Sequence, residues 1–428
     1  MQGNFHPSSS IFQPSSFSPH PDYFYRSISM TGDQVIRNVR PLGAAAVDIV
    51  LHRATIGAIV PAGSAAADIP CLLDGGARLL LPGLVESHVH FDKTLWGMAW
   101  HSNTSGPGLS DKVANERRVL RAIDVPLAER AGPLIEHCIA RGSLYFRCHI
   151  DIDPELKLER VHAMLALRER YRDVIDMQFV AFPQAGMLIQ PGTLELMRAA
   201  LELGVEHVGG LDPAGMDGDP IRHLEGIFAL ATRYDRGIDI HLHDRGSLGL
   251  WQVERIADFT KACGRSGRVM ISHAFCLGML PTEQLLPLAD RLAELGISIM
   301  TSGNAGIDVP PVALLRSRGV NVCSGSDGIR DPWSPMGNGD MLERAMLIAL
   351  RYRWNKDQEL AMAFDIVSAG GARALGIANY GLDVGCPANF VLVPAENPSE
   401  ALINRPAMRT VISRGRIVAR AGQFAGQQ

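Results

Sequence analysis

Two histidines one residue apart, His88 and His90, stand in the stretch "ESHVHFDK", directly after a strongly apolar run, "LLLPGLV". In an extended strand, residues two apart point the same way, so both imidazoles can reach one ion. More residues of metal-ligand chemistry follow: His241, His243 and Asp244 in "HLHD", His273 in "ISHA" and Asp327 in "GSDG". Imidazoles and a carboxylate with one position left open suit catalytic zinc, or iron in the same geometry. Such an ion lowers the pKa of bound water to about 7 and so supplies hydroxide at neutral pH.

These side chains act together only where a fold gathers them. Eight short apolar segments recur: "PGLVESHVH", "SLYFRCHID", "DMQFVAFPQ", "EHVGGLDPA", "GIDIHLHD", "RVMISHA", "GISIMTSG" and "GVNVCSGSD". Between most of them apolar residues fall at three- and four-residue spacing, as in "ERVHAMLALRERYRD" and "GTLELMRAALELG", which predicts helices. Strands alternating with helices over about 250 residues predict an α/β fold of the (β/α)8 TIM-barrel kind. A doubly wound sheet is the rival, but no glycine-rich phosphate loop opens a helix. Barrel active sites sit at the carboxyl ends of strands. His88 and His90 end the first segment, Gln184 the third, Asp212 the fourth, His241, His243 and Asp244 the fifth, His273 the sixth and Asp327 the eighth. Histidines ending three strands, joined by an aspartate from a fourth, mark His88 and His90 as metal ligands rather than core histidines.

Outside this region, "QVIRNVR", "VDIVLHRATIGAIVPAG", "FVLVPA" and "RTVISRGRIVAR" alternate apolar and polar residues as strands do, with Arg414-Gly415 as a hairpin turn. They predict a small β-sandwich built from both termini, residues 31–82 and 384–424, around a barrel of residues 83–383. Residues 1–30 are rich in Ser and Pro and read as a disordered tail, with Met30 an alternative start.

Composition narrows the class. Apolar residues make up 46% of the chain and charged residues 20%, which allows a large core and excludes wholesale disorder. The net charge of −4 offers no basic surface to nucleic acid or anionic membrane, and no apolar run is long enough to span a bilayer. The 7 cysteines are scattered and never form C-x-x-C, which argues against a disulfide framework or zinc finger and fits a cytoplasmic protein.

Taken together, the pattern resembles the amidohydrolase superfamily: H-x-H after the first strand, then histidine, histidine and aspartate on the fifth, sixth and eighth. "AFPQ", "ISHA" and "SDGIRDPWSPMGNGDM" are similar to its cytosine-deaminase-like branch. Within that branch, "SHVHFDK", "VGGLDPA", "HLHDRGSLG", "RVMISHAFC" and "NGDM" resemble the N-isopropylammelide isopropylaminohydrolases. The resemblance runs from about residue 34 to 420.

It implies one divalent ion, zinc or iron, on His88, His90, His241 and Asp327, with Asp327 also taking a proton from the metal-bound water and His273 orienting that water or polarising the substrate. Binuclear members carry a bridging lysine on the fourth strand. The lysines here are Lys93, Lys112, Lys157, Lys261 and Lys356, none near "VGGLDPA", so a single ion is expected. Cytosine deaminases carry H-x-x-E after the fifth strand; "HLHD" instead places Asp244 there with His243 beside it. Either could shuttle protons, and His243 titrates nearer neutrality.

For substrate contacts, the resemblance implies Lys93 on a ring carbonyl or developing negative charge, Gln184 on an amide-like ring edge and Asp212 on ring N–H groups. Trp333 is expected to pack under the eighth strand's loop, and Trp96, Trp100 and His101 to pack locally, all outside the site. Gly328 follows Asp327 where cytosine deaminases have a second aspartate, and is expected to open space beside the metal. The implied activity is hydrolytic removal of an exocyclic amine from a small amino-oxo heterocycle of pyrimidine, triazine or pterin type, by a homo-oligomer. Two alternatives stand beside it. One is a cyclic-amide hydrolase of the dihydropyrimidinase kind, weakened by the missing lysine. The other is a non-catalytic metal-binding relative, weakened by the complete ligand set.

Overall fold

The structure is a computed structural model that describes residues 32–426; the tail expected over residues 1–30 lies outside the described residues. The strands Leu84–His90, Ser143–Asp151, Asp176–Phe182, His207–Leu211, Gly237–Leu242, Val269–His273, Ser298–Met300 and Val322–Cys323 form one parallel sheet, each bonded to the next. A last segment, Asp327–Gly328, pairs with the first strand, with Asp327 opposite Val89 and Gly328 opposite His90. The chain thereby returns to its start and closes the (β/α)8 barrel. All residues of Leu84–His90 and Ser143–Asp151 are buried, as parallel strands covered by helices must be. Helices Glu159–Tyr171 and Thr193–Glu202 occupy the two stretches with helical spacing.

The fourth strand needs its glycines. A Cβ on Gly209 would lie 2.6 Å from the Ala181 carbonyl, and one on Gly210 2.5 Å from Ile227 on the covering helix Pro220–Arg233. The strand passes between these neighbours only because it carries no side chain there.

Both ends of the described chain meet in a second sheet. Its order is Gln423–Phe424, Arg416–Arg420, Thr410–Ser413, Phe390–Val393, Cys71–Pro82, Asp33–Pro41, Val47–His52 and Thr55–Pro61. Neighbours are antiparallel except Asp33–Pro41 on Cys71–Pro82. Alternation sorts the two faces. Leu80, Phe390, Leu392 and Ile412 join Ile36, Ile49 and Leu51 in a small core of their own. Leu79, Leu81, Val391, Val393 and Val411 point the other way, into the barrel core. Arg414 and Gly415 turn the hairpin with φ of 49° and 75°, the backbone that two-residue hairpin loops favour.

One buried ion pair ties the second sheet to the barrel. Arg409, fully buried, donates to both carboxylate oxygens of Asp340 at 2.9 and 2.7 Å. Asp340 in turn caps the helix Met341–Tyr352 by accepting from the Leu342 N–H at 3.0 Å. Among the described residues, no helix is long and apolar enough to cross a membrane.

Candidate active site

The carboxyl ends of the strands open into a cavity of about 640 Å³ whose walls include His90, Lys93, Gln184, His241, His243, His273 and Asp327. At its floor, ligand atoms of His88, His90, His241 and Asp327 all lie within 4.8 Å of one another. His88 Nε2 and His90 Nε2 stand 3.7 and 3.4 Å from Asp327 Oδ1, and His241 Nε2 is 3.3 Å from His90 Nε2. Burial lowers the pKa of all three imidazoles, which are therefore neutral at neutral pH. Burial works against the charge on Asp327, yet its hydrogen bond with His90 and the surrounding histidines hold it well below the usual carboxylate range.

The tautomer of His88 follows from its partner. The single hydroxyl hydrogen of Ser272 goes to Asp239 Oδ1 at 2.7 Å, so Ser272 Oγ accepts from His88 Nδ1–H at 3.0 Å. The lone pair of His88 Nε2 is thereby turned toward the cluster, where this fully buried atom has no hydrogen-bond partner among the described residues. A buried polar atom without a partner costs stability unless something else satisfies it. Neutral imidazoles, an ionised carboxylate and an orphaned lone pair fit a divalent cation. Two further groups come equally close, His88 with His149 and Asp239, and His90 with Asp92 and Asp151. Their carboxylates already meet cations: Asp239 meets Arg147, Asp92 meets Arg160, and Asp151 meets Lys93 and Arg160.

Backbone strain coincides with the site. Asp212, His273 and Asp327, at the ends of the fourth, sixth and eighth strands, have φ of 35°, 71° and 64°. Such conformations are uncommon for residues with side chains and persist where the surroundings enforce them.

Not every expected residue reaches the cavity wall. Asp212 is buried beneath His243 and accepts from its backbone N–H at 2.5 Å and its Nδ1 at 2.8 Å. Burial opposes an imidazolium at His243, but the Asp212 carboxylate outweighs it and raises the His243 pKa. Asp244 accepts from the Gly215 N–H and from Gln252 Nε2, both at 2.9 Å. His273 stacks on His243 with ring centres 4.6 Å apart, and burial brings its pKa down to about 3. Lys93 donates to Gln184 Oε1 at 2.7 Å, deep in the cavity.

Two expectations need correction. Trp333 does not merely pack under its loop: it lines the cavity and donates from Nε1 to Glu116 Oε2 at 2.6 Å. Gly328 does not leave open space either. A Cβ there would lie 1.9 Å from Asp331 Oδ2, so the carboxylate of Asp331 fills the place a side chain at 328 would take.

A wider charged cluster also escaped sequence reasoning. Glu116, on helix Leu109–Arg121, lies 3.5 Å from Lys93 Nζ and 3.3 Å from Arg160, and Asp151 lies 3.1 Å from Lys93 Nζ. Burial opposes both charges, but Asp151 and Glu116 raise the Lys93 pKa, while Lys93 and Arg160 hold Glu116 low. In the sequence, Glu116 looks like any charge on an exposed helix. Trp333 does carry a signal, since it stands two residues from Asp331 within the motif of the eighth strand.

A parallel barrel with polar residues gathered at its strand ends defines a hydrolase of carbon–nitrogen bonds when joined to its relatives. The amidohydrolase family profile matches residues 131–419, and the chain belongs to that family. It is 34% identical to the N-isopropylammelide isopropyl amidohydrolase of Pseudomonas sp. (strain ADP), over 81% of this chain and 88% of that one. The crystal structure of N-isopropylammelide isopropylaminohydrolase from Burkholderia multivorans superposes with a TM-score of 0.89 at 40% identity, covering 92% of this chain and 100% of that one. The 5-methylcytosine deaminase of Klebsiella pneumoniae, liganded with 5-fluorocytosine, gives a TM-score of 0.79 at 29% identity, over 90% and 97% of the two chains.

Proposed function

We propose that this protein holds one divalent ion, zinc or iron, on His88, His90, His241 and Asp327, and hydrolytically removes an exocyclic amine from an amino-oxo N-heterocycle. The observation that carries the reading is the orphaned, fully buried His88 Nε2 within a neutral-histidine and carboxylate cluster at the floor of a substrate-sized cavity. When bound, such an ion lowers the pKa of water to about 7. Asp327 is ionised and accepts a proton at its carboxylate. His273, neutral and 3.9 Å from Asp327 Oδ2, hydrogen-bonds the attacking water or the substrate. His243, pinned by Asp212 and facing the cavity, delivers a proton to the departing amine, which leaves readily only once protonated. Lys93 and Gln184 hold the ring against the floor.

The relatives named above support an amine leaving group on a pyrimidine or triazine ring. The cyclic-amide alternative is disfavoured because the fourth strand offers Gly209, Gly210 and Leu211 but no lysine to bridge two ions. Assay of cytosine, N-isopropylammelide and pterin for ring absorbance change and amine release tests the proposal. Release of ammonia or an alkylamine from at least one is expected. Hydrolysis of a cyclic amide such as dihydrouracil, with no amine released from any of the three, contradicts it.

A further inference from the structure

Asp331 carries a carboxylate that neither the metal cluster nor the proton path uses. It lines the cavity yet is only 5% exposed. One oxygen is fixed: Oδ1 accepts from the Trp333 N–H at 2.8 Å and the Ser334 N–H at 2.9 Å. These bonds orient the group and leave Oδ2 as the acceptor that no described residue hydrogen-bonds. Oδ2 points to the space beside Gly328, 1.9 Å from where a Cβ on that residue would sit. Gly328 follows Asp327 directly and pairs with His90. Asp331 Oδ2 therefore stands beside the reaction floor, and only a glycine at 328 admits it. Burial pushes the Asp331 pKa up to about 7 against the pull of Lys93, so its cavity face can accept a hydrogen bond at and above neutrality.

Building on the reaction proposed above, we infer that Asp331 is a specificity-determining residue, whose Oδ2 accepts a hydrogen bond from an N–H of the substrate next to the reacting carbon, in a place that Gly328 keeps open. Its ligand class is a heterocycle with an amino or ring N–H donor at that edge. A ring presenting only acceptors there would meet a carboxylate and be rejected, since an unpaired buried acceptor is costly.

The test is a binding cycle on the whole enzyme, read by quenching of tryptophan emission, because Trp333 lies in the same cavity. The probes are cytosine, N-isopropylammelide and pterin. Asp331→Asn keeps an Oδ1 acceptor for the Trp333 and Ser334 N–H groups but turns the cavity face into a donor. Gly328→Ala leaves Asp331 in the sequence but pushes its carboxylate aside. Each variant should weaken Kd for the best probe about tenfold, the scale of one lost charge-assisted hydrogen bond. The double variant should be no worse than either single one, because both remove the same contact.

Unchanged Kd in Asp331→Asn, or additive losses in the double variant, overturns the role of Asp331. A loss of melting temperature in Asp331→Asn with unchanged Kd likewise reduces Asp331 to a turn residue. Tight binding without amine release counts against the proposed reaction and leaves the inference standing. Failure of the wild-type enzyme to bind any of the three counts against both.

Discussion

The residues of the site divide into those that meet the cavity and those that hold them. His243 belongs to the first kind and Asp212 to the second, through bonds of 2.5 and 2.8 Å. Asp212→Asn removes the charge that favours a protonated His243, and should lower kcat about 10²-fold, the scale of one general acid or base, while metal content stays unchanged. His273→Asn should likewise keep the metal and lose most turnover, since His273 stands beside the cluster and not within it. Elemental analysis of the purified variants checks both; a metal-free His273→Asn enzyme would make His273 a ligand. Alternation on a strand made His88 and His90 legible, because spacing of two is a local property. The contact between Glu116 and Trp333 was not legible in this way. Their bond joins residues 217 apart in the chain, and nothing local in either residue announces it.

At the scale of elements, helix Leu109–Arg121 acts as a side wall. Asn115 Nδ2 donates to the Pro332 carbonyl at 2.9 Å and Glu116 accepts from Trp333, so the helix grips the loop after the eighth strand. Glu116→Ala should free Trp333 and leave Lys93 with fewer counter-charges, raising KM about tenfold on the scale of a lost charge-assisted bond, with increased acrylamide quenching of Trp333 as the structural readout. An unchanged quenching curve would deny the grip. The barrel strands were readable because buried parallel strands are short, continuous apolar runs. Strand Cys71–Pro82 was not read, because "DGG" interrupts its alternation and its last residues blend into the first barrel strand. The break in the eighth strand was also hidden. It falls at Gly325, where a Cβ would lie 2.4 Å from the His88 carbonyl.

On the scale of the molecule, a buried ion pair ties the second sheet to the barrel. Arg409 reaches from the sheet side to Asp340, whose helix follows the loop bearing Asp331 and Trp333. Removing one partner of a buried ion pair leaves the other charge unpaired, so Arg409→Ala should cost about 3–5 kcal/mol of stability, seen as a lower urea midpoint. A midpoint equal to wild type would mean that the pair contributes little. The central claim, a single metal ion that the chemistry requires, has a direct measurement. Protein stripped with a chelator is titrated with zinc, or with ferrous iron under anaerobic conditions, while amine release from the best substrate is followed. Activity should be absent at the start, rise in proportion to added metal and saturate at one equivalent per chain. Saturation at two equivalents, or full activity in the stripped protein, would contradict the account.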